Sequence, residues 1–153
     1  MLTQCHGENE DPLLLHAMIA FPPKDTVRFD LPASALRCTG ENAILLQAAS
    51  PEGSGVLIKV RYRDSLMSDS FPVVSADDAA TTPAAVVAVR YFVHETPHSF
   101  VMDSGVVHVR RDRGGVSARV QGSGLENAIR TPSRVEFERM PLRADTVTCG
   151  SSP

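Results

Sequence analysis

The residues with the most chemical potential lie together at His94-Glu95-Thr96-Pro97-His98. Two histidines four apart around a glutamate match the spacing at which one helical turn presents two zinc ligands and a water-activating base. That chemistry needs a helix through all five residues. Pro97 stands inside it, where its ring clashes with the preceding turn and its nitrogen has no proton to donate. It also drives Thr96 toward extended angles. The stretch before it, Ala84 to His94, is nearly continuous in apolar residues, with Val87, Val89, Tyr91 and Val93 on one face of a strand. A strand end followed by a turn is the simpler reading. A metal-dependent hydrolase using His94 and His98, with His108 from a neighbouring strand as third ligand, is the sharper alternative.

The other candidates carry less. Cys5-His6 beside Glu8 and Glu10 would hold a metal only loosely. No Gly-x-Ser-x-Gly elbow, phosphate loop or dinucleotide fingerprint occurs, and Gly53-Ser54-Gly55 and Gly122-Ser123-Gly124 read as turns. Asp77 and Asp78 adjoin in a polar stretch and are expected to be solvated. The sequence therefore predicts no enzyme, no catalytic or metal-binding residue and no cofactor.

The three cysteines are Cys5, Cys38 and Cys149, and none forms a Cys-x-x-Cys pair. Cys38 precedes one strand and Cys149 follows the last, both in polar surroundings that suit a disulfide better than two buried thiols. A Cys38–Cys149 bond is expected, and with it an oxidising compartment. Cys5 is left for another task.

The elements that must position these residues are strands. Gly105 to Gln121 alternates Val107 and Val109 with His108 and Arg110, turns at Asp112-Arg113-Gly114-Gly115, and resumes with Val116, Ala118 and Val120. Period-two alternation around a Gly-rich turn is a hairpin signal, and here one face is apolar and the other polar. The same rule predicts strands at Thr26–Leu31, closed by Pro32, and around Ala43–Leu46. It predicts others at Leu57–Arg63, Ala84–His94 and Ser133–Met140, with a short edge segment at Asp145–Cys149. Pro12 to Phe21 fits a short helix capped by Asp11, or a buried strand. Asp64 to Pro83 reads as a long loop, and Gly122 to Asn127 as a turn or bulge. These spacings predict an all-β fold, an antiparallel sandwich of about seven or eight strands over 26–149. An irregular N-terminal extension, an anchor or docking arm, would occupy 1–25 and a tail 150–153.

Composition narrows the partners. At 153 residues the chain makes one domain, and aromatics are only 5% with no Trp, so stacking platforms for sugars or bases are scarce. A net charge of −3 argues against general nucleic-acid binding. All of the 15 basic residues except Lys24 and Lys59 are Arg. Arg pairs with carboxylates in a planar fork and is enriched at interfaces, so Arg110, Arg111, Arg113 and Arg119 are interface candidates. No apolar run reaches the 18 or so residues a membrane-spanning helix needs.

Gly105-Val-Val-His-Val, the Gly114-Gly115 turn and Gly122-Ser-Gly resemble the closing strands of small secreted β-sandwich lipoproteins of bacteria. The resemblance spans about 40 residues with generic motifs, and it implies an extracytoplasmic location. Leu2-Thr3-Gln4-Cys5 resembles the end of a lipobox, with Gln4 where a small residue is wanted, which makes Cys5 a lipidation candidate. The expectation is a non-catalytic accessory or scaffold subunit, docked from the periplasmic or extracellular side on a membrane-bound assembly. A photosynthetic or respiratory complex, secretion machinery or a surface filament would qualify. Its partners would be protein subunits, with no nucleic acid, and membrane association would come through them or a lipid anchor. The alternative is a binding module for a small ligand or glycan.

Overall fold

In the computed structural model, residues 12–21 and 25–149 are described, and they form ten strands with no helix among them. The strands are β1 (Leu13–Phe21), β2 (Asp25–Cys38), β3 (Ala43–Ala49), β4 (Gly55–Arg61) and β5 (Asp69–Pro72). They continue as β6 (Ala84–Val93), β7 (Thr96–Asp112), β8 (Gly115–Glu126), β9 (Ile129–Met140) and β10 (Leu142–Val147). Pairing runs β1-β9-β8-β7-β6-β4-β3-β2, and β2 returns to β1, so eight strands close on themselves. The all-β, antiparallel expectation holds. The sandwich does not: the structure is a closed barrel.

The closure has a local cause. β2 and β7 are the longest strands, at 14 and 17 residues, and each changes partners part-way along one edge. β2 pairs β1 up to Pro32 and then β10 from Ala35. β7 pairs β6 up to Val101 and then β5 from Val106. These strands carry the ladder round the two corners that a sandwich would leave open. Pro32, expected to end a strand, sits where the β1 ladder stops and the β3 ladder starts, so its missing N–H interrupts neither.

The corner in β7 is built with glycine. Gly105 has φ +132 and faces Gly122 across the ladder. A Cβ at Gly105 would lie 2.4 Å from the Gln121 carbonyl oxygen and 2.5 Å from the Gly122 Cα. The two backbones therefore approach more closely than any side chain allows.

The inward residues fill the barrel. Leu15, Ile19, Ile44, Leu46, Ile58, Val87, Tyr91, Val107, Val120, Val135 and Phe137 are buried, as an eight-stranded barrel requires. Leu15 and Ile19 belong to β1, so 13–21 is part of the barrel instead of the extension expected over 1–25, and it is strand, not helix. The stretch 64–83 is less of a loop than expected. β5 lies within it, with Phe71 buried, and Leu66 and Val73 join the same core. β8 runs through Gly122–Glu126, and the turn comes at Asn127-Ala128, both at positive φ.

The hairpin expected over 105–121 forms as β7 and β8, with Asp112 opposite Gly115 and Gly114 at φ +78. A side chain at Gly114 would meet nothing within 4 Å, so its substitution carries backbone strain alone. Gly114→Val is expected to cost about 1–2 kcal/mol in chemical unfolding. No change in the midpoint would contradict a left-handed residue at this turn.

The expected disulfide is present. Cys38 at the end of β2 bonds Cys149, just past β10, with Cα atoms 5.4 Å apart. Cys38 is buried despite its polar neighbours, because it lies beside Val147 of β10 in the parallel pairing.

Candidate functional site

The His94–His98 stretch is a tight hairpin. His94 and Glu95 both have positive φ, and Val93 pairs with Thr96 across them, so the five residues form no helical turn. His94 is exposed at the tip, His98 is half-buried beside Tyr91, and His108 lies ten residues further along β7, where its Nδ1 is 2.8 Å from the Ser70 hydroxyl. The three histidines are not brought together, and no group of three metal-ligating side chains occurs among the described residues.

His98 belongs to a different cluster. Its Nδ1 is 2.8 Å from one Glu126 oxygen, and the other accepts the Tyr91 hydroxyl at 2.9 Å. The Ser99 amide donates to the same carboxylate at 3.2 Å. The imidazole stacks on Tyr91 at 5.2 Å and meets the edge of Phe21 at 5.0 Å. Burial, with help from the Glu126 carboxylate, pushes the Tyr91 phenol well above its usual range. The carboxylate fixes the imidazole tautomer and orientation, as in a catalytic dyad. Here it also ties the start of β7 to the end of β8, and no nucleophile among the described residues is hydrogen-bonded to the imidazole. The cluster closes one end of the barrel.

The outer surface has two unlike faces, each organised by a row of residues directly opposite one another across the strands. One row runs Ser70, His108, Arg119, Glu136, His16 and Asp30 across β5, β7, β8, β9, β1 and β2. It is ionic, with Arg119 3.8 Å from Glu136. His16 contacts Asp30 through Nδ1 and Glu138 through Nε2, each at 2.7 Å. Two carboxylate acceptors ask both ring nitrogens to carry protons. The Asp30 bond first and the Glu138 bond second raise the His16 pKa, against a smaller opposing effect of burial.

A raised folded pKa means that this contribution is complete below the unfolded value and fades as pH rises through the folded one. All three groups are well exposed, so the effect on stability is small. An NMR titration of His16 is expected to give a pKa above 6.5, the ordinary value. Asp30→Asn with Glu138→Gln is expected to return it to that value. A wild-type value at or below 6.5 would contradict the doubly bonded geometry.

The second row runs Ser34, Gln47, Leu57, Ala88 and Val101 across β2, β3, β4, β6 and β7. It holds no charge. Leu57 and Val101 are 44% and 40% exposed although both lie within the sheet. The next row, Ala49, Gly55, Arg90 and Ser99, is built of small residues apart from Arg90. Small side chains beside taller ones leave a depression, a trough of about 810 Å³ open to solvent. Leu14, Pro141 and Arg143, from β1, the β9–β10 junction and β10, complete its lining.

No family model, curated protein or solved structure matches the chain.

The four arginines singled out in the sequence do not form one patch. Arg110 and Arg119 share the ionic face, and Arg113 sits at the hairpin tip, where its carbonyl accepts from Arg139. Arg111 is half-buried, with its backbone bonded to Ser68. Cys5 lies outside the described residues. No helix among the described residues is long and apolar enough to cross a membrane. The trough was not legible in the sequence, since it combines residues from seven strands. The one signal available was that Leu57, Ala88 and Val101 occupy polar-phase positions of their strands.

Proposed function

We propose that this protein is a non-catalytic docking subunit that binds a partner protein through the trough on the outer face of β2, β3, β4, β6 and β7. The observation that carries this reading is the uncharged cross-strand row from Ser34 to Val101. A buried core already occupies the barrel interior, so a ligand must be met on the outside. The ionic face satisfies many of its charges internally, whereas the trough leaves Leu57 and Val101 in water, as an interface core does before its partner arrives.

The Cys38–Cys149 bond supports an oxidising compartment, periplasmic or extracellular, where such a subunit would meet a membrane-associated assembly. Lipidation at Cys5, as in the bacterial lipoproteins the chain resembles, would tether it there. The trough volume also falls in the range of small-ligand sites, which favours a binding module as the second reading. Among the described residues its lining has no aromatic residue except Phe100, which is buried and offers a sugar no ring to stack on.

Affinity purification from the native source separates these readings. Wild type and Arg119→Glu are expected to retain the same stoichiometric protein partner, and Leu57→Asp to lose it. Retention by Leu57→Asp, or no partner from any form, would overturn the docking role.

A further inference from the structure

We infer that the occupant of the trough is an extended segment of a partner protein carrying apolar side chains flanked by carboxylates; this inference rests on the docking reading above. The charge of the lining carries it. Among the described residues the trough is lined by Arg90 and Arg143 and by no Asp or Glu, in a chain whose net charge is −3. Both arginines are exposed, and neither pairs with a carboxylate among the described residues. The ionic face is the opposite case, with Asp30, Glu136 and Glu138 distributed among its cations.

The apolar row gives a partner area to cover, and the arginines select its sign. Leu57, Ala88 and Val101 lie in register, so the partner's side chains must project toward that row. A basic segment would meet two guanidiniums with nothing to offset them. A second copy of this chain using the same face would bring the arginine pairs together about a twofold axis, again without a carboxylate. A flat bilayer does not reach the floor of a concave trough lined by Ala49, Gly55 and Ser99. A carboxylate on either side of a short apolar stretch satisfies all three constraints, and Arg offers it a two-pronged contact.

The test is selection of a random peptide library on the full, folded chain, with Leu57→Asp as the counter-selecting surface. Peptides enriched for Leu, Ile or Val together with Asp or Glu are expected. The best of them, synthesised, is expected to bind about tenfold more weakly to the Arg90→Glu, Arg143→Glu double variant. The same peptide should also weaken on wild type as salt rises, a measurement that needs no substitution. Enrichment of basic or uncharged peptides would overturn the acidic partner while leaving the docking role intact. No enrichment over Leu57→Asp would overturn the docking role itself. Binding of phosphatidylglycerol vesicles that Leu57→Asp abolishes, or a dimer that Leu57→Asp dissociates, would replace the peptide with a membrane or a second copy.

Discussion

Replacing Cys38 and Cys149 together with serine is expected to lower stability by about 4–5 kcal/mol, the largest loss available to an exchange of single sulfur atoms in this chain. The two residues are 111 positions apart, so the bond closes β3 to β10 into one covalent loop. In the chain-entropy account, most of the effect falls on the unfolded state, which loses the freedom to separate its ends. The folded state supplies a second reason. β10 is held to β2 by a short, interrupted parallel ladder, Leu142 to Ala35 and Thr146 to Arg37, with the Thr39 amide bonded to the Val147 carbonyl. The bond fastens that strand where the ladder ends. In the double variant, amide exchange in β10 is expected to rise before exchange in β3 and β4. The melting temperature should fall on the order of 10 °C. An unchanged melting temperature, or faster exchange spread evenly over all strands, would contradict this.

Gly105→Val is expected to be as damaging for an unrelated reason. The residue has φ +132, which a β-branched side chain tolerates poorly, and that alone costs about 1–2 kcal/mol. The added Cβ would also lie 2.4 Å from the Gln121 carbonyl oxygen and 2.5 Å from the Gly122 Cα. Both are backbone atoms, so no side chain can swing aside. β7 and β8 must separate at the corner, which disturbs the Gly105–Gly122 pairing and the Val73 amide bond to the Gly105 carbonyl. The total is expected to reach about 4 kcal/mol or more, in the range reserved for strain at a special backbone position. Gly114→Val is the matched control, with the same chemistry at positive φ and open space around it. Equal unfolding midpoints for the two variants would show that the corner gives way easily, and the tight approach would lose its structural importance.

Much of the barrel was legible in the sequence because its inward residues alternate strictly. In 105–121, Val107 and Val109 before a Gly-Gly turn and Val116, Ala118 and Val120 after it fall at every second residue, the period of a strand. The closure was not legible. Alternation tells which way a residue points but not which strand lies beside it. The corners depend on β2 and β7 changing neighbours part-way, at Pro32 and at Met102–Ser104. Pro32 read as a terminator because a proline usually ends a ladder; here it marks the handover between two. β1 was ambiguous because Leu13, Leu14 and Leu15 are apolar whichever period is applied, and only its two neighbours, β2 and β9, decide for strand. Turns without glycine, at His94-Glu95 and Asn127-Ala128, were harder to place than the one at Gly114.

Sites followed the same division. The disulfide was legible from cysteine count and position. The His98–Glu126–Tyr91 cluster was not, since its members come from three strands and the histidine had a louder motif around it. The two outer rows were invisible for the same reason, being read across the strands while the sequence runs along them.

Site-specific photo-crosslinking in the native source bears most directly on the docking role. A photoreactive amino acid at position 57 and another at position 119 sample the uncharged and ionic faces of one barrel. Position 57 is expected to give a single dominant cross-link to one partner protein, competed by the acidic peptide, and position 119 to give none. A dominant cross-link from position 119 with none from position 57 would contradict the docking role and return the interface to the arginine-bearing face.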